Sequence, residues 1–151
     1  MTAPRWDAAT ATLRRVAFDT NSLIYFFEAT QPYAAFVAQV LSKAESRQAV
    51  AVVSAIAEME VLVRPLRDGN RAQLRKLRLF FASLPNLVLR EVDSAVAFTA
   101  ARIRAETGMK APDALIAATA IEEGCDAIIG NDRSFARRSE VPYLVLGDFA
   151  V

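Results

Sequence analysis

Histidine is absent from this chain of 151 residues. Its absence excludes Ser-His-Asp and Cys-His catalysis, histidine-based ribonuclease chemistry and the ordinary zinc sites that use imidazole. Cysteine is almost absent too, because Cys125 is the single thiol and no internal disulfide can form. A lone cysteine fits a reducing compartment, so we expect a cytoplasmic protein.

Strong net charge and long apolar runs are also missing. The net charge is +1, from 18 basic and 17 acidic residues, so only a local cluster of charge can argue for a nucleic-acid partner. No apolar run reaches the roughly 18 residues that cross a bilayer. Residues 1–15 have neither the apolar stretch nor the cleavage site of a secretory signal, so we expect no membrane association.

Apolar residues, by contrast, are abundant at 54% of the chain, which predicts a packed globular domain. Short aliphatic segments alternate with longer segments of helical periodicity, the pattern of an α/β fold with a parallel sheet. The predicted strands are residues 15–18, 49–53, 87–92, 127–129 and 143–146. The predicted helices are residues 22–27, 33–44, 55–63, 71–83, 94–106 and 112–122, with Pro65 expected to break the third. Residues 1–14 are expected to be an extension outside the core, and residues 15–151 a single domain.

Four acidic residues lie at the ends of apolar segments or inside one: Asp19, Glu60, Asp113 and Asp132. Asp19 and Asp132 follow predicted strands, and open α/β sheets bind ligands where their strands end. Asp113 opens a helix that has no basic residue through Ile121. Burying an ionised carboxylate costs several kcal/mol unless it is compensated, and Mg²⁺ or Mn²⁺ prefers oxygen ligands. The four acids together therefore indicate a divalent metal site.

Each acid also has a purely structural explanation. Asp19 can cap a helix, and Asp113 after Pro112 suits the first turn of one. Asp132 lies in a polar turn, where aspartate is common. On the third predicted helix, Glu58 and Glu60 flank the apolar stripe about symmetrically, so periodicity does not choose between them.

A local basic cluster lies between residues 64 and 78, where six basic residues accompany the single acid Asp68. Arg71, Arg75 and Arg78 follow helical spacing and would share a face. That face is either a solvated helix surface, a contact for phosphate, or a docking site for an acidic partner. On the same helix, the apolar stripe of Leu74, Leu77, Phe80 and Phe81 is expected to pack in the core.

Two other classes of protein fit poorly. A haloacid-dehalogenase phosphatase needs a second aspartate two residues after the first, where this chain has Asn21. A nucleotide-binding module would carry a Gly-x-Gly-x-x-Gly or a Gly-Lys-Ser/Thr phosphate loop, and neither motif is present.

Three segments together resemble the PIN-domain ribonucleases, and among these the VapC-type toxins of bacterial toxin–antitoxin pairs. The segments are residues 18–25 (FDTNSLIY), 112–120 (PDALIAATA) and 131–135 (NDRSF). Any one of these segments alone is a weak signal, whereas all three in this order are strong evidence. Their order and spacing cover the chain from about Val16 to its C-terminus. The resemblance implies a three-layer α/β/α PIN-like fold around a parallel sheet of about five strands. It also implies a metal-dependent endoribonuclease.

The resemblance assigns roles residue by residue. Asp19, Asp113 and Asp132 match the first, third and fourth acids of the family. The second acid follows a Ser-x-x-x-x-x-Glu pattern, which Ser54 and Glu60 fit, so the resemblance favours Glu60 over Glu58. Asn21 matches the polar residue beside the first acid, and the resemblance implies that it supports the metal ligands from behind. Gly130 departs from the family, which usually has Thr or Ser there, so a hydroxyl is missing from this turn.

The implied chemistry uses these four carboxylates to hold one or two Mg²⁺ or Mn²⁺ ions, which activate a water molecule for attack on the phosphodiester. The expected products are 5′-phosphate and 3′-hydroxyl ends on RNA. Arg75, Lys110 and Arg133 are candidates for contact with the RNA backbone. The implied partners are a cognate antitoxin protein and a second copy in a homodimer. A PIN domain that acts in RNA processing, or a non-catalytic PIN module that binds RNA or protein, stays open as the alternative.

Overall fold

The structure, a computed structural model, describes residues 3–150. The outer ends of the predicted extension and domain, Met1, Thr2 and Val151, lie outside the described residues. The strands are β1 (Arg15–Phe18), β2 (Val50–Ser54), β3 (Leu87–Arg90), β4 (Ala127–Gly130) and β5 (Tyr143–Val145). The helices are α1 (Ala3–Thr10), α2 (Thr20–Phe27), α3 (Tyr33–Glu45), α4 (Ala55–Asp68), α5 (Arg71–Ser83), α6 (Ser94–Thr107), α7 (Ala111–Glu122) and α8 (Arg133–Arg138). A short 3₁₀ helix follows at Leu146–Asp148.

The five strands form one parallel sheet in the order β3-β2-β1-β4-β5, with helices on both faces. This arrangement confirms the predicted three-layer α/β/α fold. The central strand β1 has β2 on one side and β4 on the other. Ala17, for example, is opposite Val52 of β2 and Ile128 of β4, and all three are buried. Strands buried on both faces read as continuous aliphatic runs, which is why β1, β2 and β4 are recognisable in the sequence.

Several helices begin at side chains that cap them. The Ser54 hydroxyl accepts from the backbone N–H of Ile56 (3.0 Å), and the carboxylate of Asp93 accepts from that of Val96 (3.0 Å). Such caps satisfy backbone donors that the first turn of a helix leaves free. The predicted helix starts at residues 55 and 94 follow from these two residues.

Helix α4 is longer than expected because Pro65 does not end it. Pro65 is buried inside the helix, which continues to Asp68 and ends at Gly69 with a φ of 64°. Proline removes one backbone hydrogen bond, and here the packing of the buried face outweighs that loss. Glycine adopts the left-handed conformation at no steric cost, so Gly69 is the residue that terminates the helix.

Other differences are smaller. Strand β3 stops at Arg90 rather than Val92, because its partner β2 ends at Ser54, which pairs with Arg90. Helix α8 was not predicted, since six residues are too few for a clear periodicity. The apolar stripe of α5 packs inward as predicted: Leu77 and Phe81 are buried, and the ring of Phe80 meets Phe27 edge to face at 5.0 Å.

The N-terminal segment is not outside the core, contrary to expectation. Trp6 of α1 is fully buried, and its indole N–H donates to the carbonyl of Phe36 (3.0 Å). Its ring also contacts those of Phe36 (5.4 Å between centroids) and Phe149 (5.0 Å). Trp6 anchors this segment, and the partly buried Leu13 also packs against the core. The domain boundary at residue 15 stays a prediction.

Membrane insertion is not supported by any helix of the described chain. Within residues 3–150, no helix is both long and apolar enough to cross a bilayer.

Because Trp6 is buried, Trp6→Ala is expected to lower the free energy of unfolding by about 3–5 kcal/mol, through lost contacts and the cavity left behind. Urea unfolding followed by circular dichroism measures this change. Phe98→Ala is the matched control, since Phe98 is 76% exposed and its removal should change stability by less than about 0.5 kcal/mol. Equal effects of the two substitutions would contradict the role given to α1.

Candidate active site

The predicted acids gather where β1 and β4 end. Asp19 directly follows β1, and Asp132 lies two residues beyond the end of β4. These neighbouring strands stand where the strand order reverses, because β2 and β4 lie on opposite sides of β1. A crevice forms at such a point in open α/β sheets, and ligands bind there.

Asp19 is the most buried of the four acids, with 5% of its surface exposed. Its Oδ1 accepts from the backbone N–H of Thr20 (2.8 Å), which caps α2, and its Oδ2 accepts from the hydroxyl of Tyr143 (2.7 Å). Burial raises the pKa of Asp19 to about 6, and the hydrogen bonds from Tyr143 and Thr20 oppose that rise. The negative charges of Asp113 and Asp132 raise it further. A cation bound by the carboxylate oxygens would offset the cost of burying these negative charges close together.

Asp113 and Glu60 approach the same region from two different helices. Asp113 is half-buried in the first turn of α7, and burial raises its pKa above the ordinary value. The charges of Asp132 and Glu60 raise that pKa further, whereas Lys110 lowers it. Glu60, on α4, accepts from the hydroxyl of Thr20 at 2.5 Å. Glu60 therefore lies against Thr20 and close enough to Asp113 for its charge to act on it.

Asp132 caps α8 as well as standing near Asp19 and Asp113. Its Oδ1 accepts from the backbone N–H of Phe135 (3.0 Å), and its own N–H donates to the hydroxyl of Tyr143 (3.2 Å). The charge of Asp132 raises the pKa of both Asp19 and Asp113. Asp132 therefore has a structural role as a helix cap, and this role does not exclude another at the site.

Asn21 supports the turn that follows β4 and leads to Asp132. Its Oδ1 accepts from the backbone N–H of Asn131 (3.2 Å). Asn131 is held further by Tyr25, whose hydroxyl accepts from its Nδ2 (3.3 Å), and by the N–H of Gly147, which donates to its Oδ1 (2.9 Å). The turn that leads to Asp132 is therefore held by three hydrogen bonds of Asn131.

The three basic residues predicted to contact RNA lie differently. Lys110 precedes α7 and is close enough to lower the pKa of Asp113. Arg133 is exposed on α8 and forms an ion pair with Asp148 (2.6 Å). Arg75 is exposed on α5, and within residues 3–150 it forms no ion pair with the four acids.

Two residues of the site were missed by sequence reasoning, Thr20 and Tyr143. In the sequence, Thr20 stands out only as part of the motif that contains the first acid. Tyr143 is recognisable only as a residue of the last strand. The signal that leads to it is Gly130, because a glycine at the end of a buried strand often marks the close approach of another group.

Four carboxylates with only oxygen donors fit a hard divalent cation by their chemistry. No Lys or Arg of the described chain forms an ion pair with any of them. Lys110 acts only on Asp113, through its charge and without an ion pair. Over residues 3–150, no three acidic or thiol side chains converge tightly enough to hold one ion as they stand. The four acids therefore fit a divalent cation by the type of their donor atoms, by their burial and by their charge.

Known structures share this fold. VapBC2 from Rickettsia felis, solved bound to a DNA fragment from its promoter, superposes with a TM-score of 0.68 at 18% identity, over 87% of this chain and 98% of that one. A toxin–antitoxin complex from Klebsiella pneumoniae gives 0.67 at 22% identity, over 87% and 97%. VapC20 from Mycobacterium tuberculosis, described as a toxin that cleaves the sarcin–ricin loop, gives 0.64 at 14% identity, over 81% and 93%. At such low identities, the likeness shows the fold.

Sequence comparison gives the family itself. Among proteins of curated function, none matches the chain in sequence. The model of the PIN domain, however, matches residues 16–141, which include all four acids. The predicted resemblance is confirmed, and this chain belongs to the PIN-domain family.

Proposed function

We propose that this chain is a metal-dependent endoribonuclease, and the toxin of a toxin–antitoxin pair. The observation that carries the proposal is the set of four acids at the switch point of the sheet, with no ion-pairing Lys or Arg among the described residues. Membership of the PIN family supports the nuclease, and the toxin–antitoxin neighbours support the toxin. A cytoplasmic location fits this role and the single cysteine.

Asp19, Glu60, Asp113 and Asp132 would hold Mg²⁺ or Mn²⁺. When bound, such an ion supplies a nucleophile at neutral pH and stabilises charge on the phosphate. The chain itself contributes position. The caps of α2 and α8 fix the backbones of Asp19 and Asp132, and the hydroxyl of Thr20 holds Glu60 against the start of α2.

Binding of the RNA backbone falls to the basic residues around the acids. Lys110, whose charge acts on Asp113, would contact a phosphate of the bound RNA. Arg133 contributes once its ion pair with Asp148 opens, and Arg75 contributes from the more distant face of α5. Phosphate contacts of this kind set the register of a nucleic acid without reading its sequence.

The cognate antitoxin is the proposed protein partner. A cavity of about 490 Å³ lies between α2, α4 and α5, and Glu60 is part of its wall. Apolar residues such as Phe27 and Leu77 line it beside Arg64, so it can take a peptide segment with an apolar face. A segment bound there would cover Glu60, so added antitoxin should abolish cleavage.

A homodimer is proposed as well. On α4, the side chains of Met59, Val63 and Leu66 form a stripe that is 52%, 48% and 60% exposed. Apolar stripes of this kind are typical of interfaces between proteins. Light scattering of the free protein should give twice the mass of 16.5 kDa, and a monomer at every concentration would contradict the proposal.

Cleavage of cellular RNA by the purified protein tests the proposal first. We expect cutting with Mg²⁺ or Mn²⁺ and none with EDTA. Asp19→Asn and Asp113→Asn should each lower the rate by about 100-fold or more, since metal ligands supply several kcal/mol of stabilisation in the transition state.

A matched control lies on the same helix as the second acid. Glu60→Gln should lose activity, whereas Glu58→Gln should retain it, since the structure places Glu60 rather than Glu58 against Thr20. Full activity of Asp113→Asn would contradict the proposed metal-dependent cleavage by these acids. Specific RNA binding without cleavage by folded wild-type protein would favour the non-catalytic module, and a single defined cut in a precursor RNA would favour a processing enzyme.

The stability of the metal-free protein should depend on Asp19 and on pH. The pKa of Asp19 is about 6 in the folded protein, against an ordinary value of 3.8. As pH rises through this interval, the unfolded chain loses its proton first, so the free energy of unfolding falls, and it stays lower above about pH 6. In EDTA, the free energy of unfolding of Asp19→Asn minus that of wild type should therefore increase as pH rises from about 4 to about 7.

Asp126→Asn provides the opposite control. The backbone N–H groups of Arg14 and Arg15 donate to this carboxylate and lower its pKa below 3.8. Its contribution to stability is thus lost only as pH falls below that value. Urea unfolding across the pH range should show a changing difference from wild type for Asp19→Asn and a constant difference for Asp126→Asn above about pH 4. The same constant difference in both variants would contradict the assignment.

A further inference from the structure

Gly130 leaves a space that the hydroxyl of Tyr143 fills. A Cβ atom added at Gly130 would lie 2.0 Å from the hydroxyl oxygen of Tyr143 and 2.7 Å from its Cζ. It would also lie 2.8 Å from Cβ of Asp19. Real atoms do not approach so closely, so the glycine is required for room. Tyr143 can therefore occupy this position only because residue 130 has no side chain.

From this space the hydroxyl of Tyr143 reaches the two acids that follow β1 and β4. It donates to Oδ2 of Asp19 at 2.7 Å and accepts from the backbone N–H of Asp132 at 3.2 Å. The backbone of Thr20 donates to the other oxygen of Asp19. Both oxygens of Asp19 are consequently held, one by the first residue of α2 and one by Tyr143 of the edge strand β5.

The ring of Tyr143 is fixed independently of its hydroxyl. Tyr143 begins β5, where it is opposite Ile128 of β4. Its ring packs against the buried ring of Phe135, with 5.0 Å between the centroids. Removing the hydroxyl alone should therefore leave the strand and the ring in place.

We propose that Tyr143 is a positioning residue for the metal ligands, and that its hydroxyl supplies from β5 the group that residue 130 does not carry. It holds the carboxylate of Asp19 and the backbone of Asp132 at a fixed separation. This role rests on the proposed metal-dependent nuclease, and it goes beyond the four acids assigned there. Removing a residue that orients a metal ligand typically lowers metal affinity or activity by about 10–100-fold.

The test is Tyr143→Phe, with metal binding measured in the absence of RNA. Titration of the metal-free protein with Mn²⁺ should give an affinity about 10–100-fold weaker than that of wild type. Cleavage should fall at limiting Mn²⁺ and recover as Mn²⁺ is raised, while the KM for RNA at saturating Mn²⁺ stays constant. Unfolding in EDTA reports on any purely structural effect, and a loss of stability without a change in metal affinity would overturn the proposal.

Tyr33→Phe is the matched control. It also removes one tyrosine hydroxyl, from a ring that packs against Tyr25 at 4.9 Å, and it should leave the Mn²⁺ affinity unchanged. An equal loss in both variants would mean that Tyr143 has no particular role.

Gly130→Ala gives a second, independent variant. Its new Cβ atom should displace the hydroxyl of Tyr143 and also crowd Cβ of Asp19, so Mn²⁺ binding should weaken at least as much as in Tyr143→Phe. Because both substitutions break the same contact, the double variant should lose less than the product of the two single losses. Independent, multiplying losses would contradict a shared role.

The two proposals fail in different ways. If wild type binds Mn²⁺ and cleaves RNA, while Tyr143→Phe has unchanged Mn²⁺ affinity, the inference about Tyr143 fails and the nuclease stands. If wild type neither binds Mn²⁺ nor cleaves RNA, both are overturned.

Discussion

Asp19 ionises less readily than an ordinary aspartate, because it is buried at the end of the central strand and other acids surround it. Elsewhere in the described chain, a partly buried acid is neutralised by arginine: Glu123 forms ion pairs with Arg15 (2.6 Å) and Arg90 (2.5 Å). The chain therefore has the means to pair a carboxylate with an arginine, and it does not do so at this edge of the sheet. The uncompensated charge is a local property of the site rather than a consequence of composition.

The helices that surround the site reduce this cost without cancelling it. Asp19 precedes α2, Asp132 precedes α8 and Asp113 is in the first turn of α7, so the amino ends of three helices face the same region. Each amino end carries a partial positive charge that favours an acid nearby. The capping explanations of these residues and their proposed role at a metal site thus reinforce each other. Caps hold the backbones still, and the carboxylates keep oxygens that can bind a cation.

The sequence predicts those parts of the molecule that depend on local pattern. Aliphatic runs reveal β1, β2 and β4 because these strands are buried on both faces, and Ser54 and Asp93 mark helix starts because their side chains cap neighbouring backbone. Where tertiary packing decides, prediction fails: one buried indole brings α1 into the core, and packing carries α4 past Pro65.

The site divides in the same way. The acids next to strand and helix ends can be found from the sequence, whereas the choice of Glu60 over Glu58 needed either the family pattern or the contact with Thr20. The contact of Tyr143 with Asp19 joins residues 124 positions apart, and no periodicity reveals such a pair. Its only trace in the sequence is a glycine where a hydroxyl residue was expected.

That glycine also restricts the order in which the site can change during evolution. While Tyr143 is present, any side chain at residue 130 collides with its hydroxyl, so a serine or threonine cannot be acquired there first. A side chain at residue 130 requires a residue smaller than tyrosine at residue 143, so the two positions constrain each other. Related chains should carry either glycine with tyrosine or a hydroxyl residue with a small partner, with few mixtures of the two.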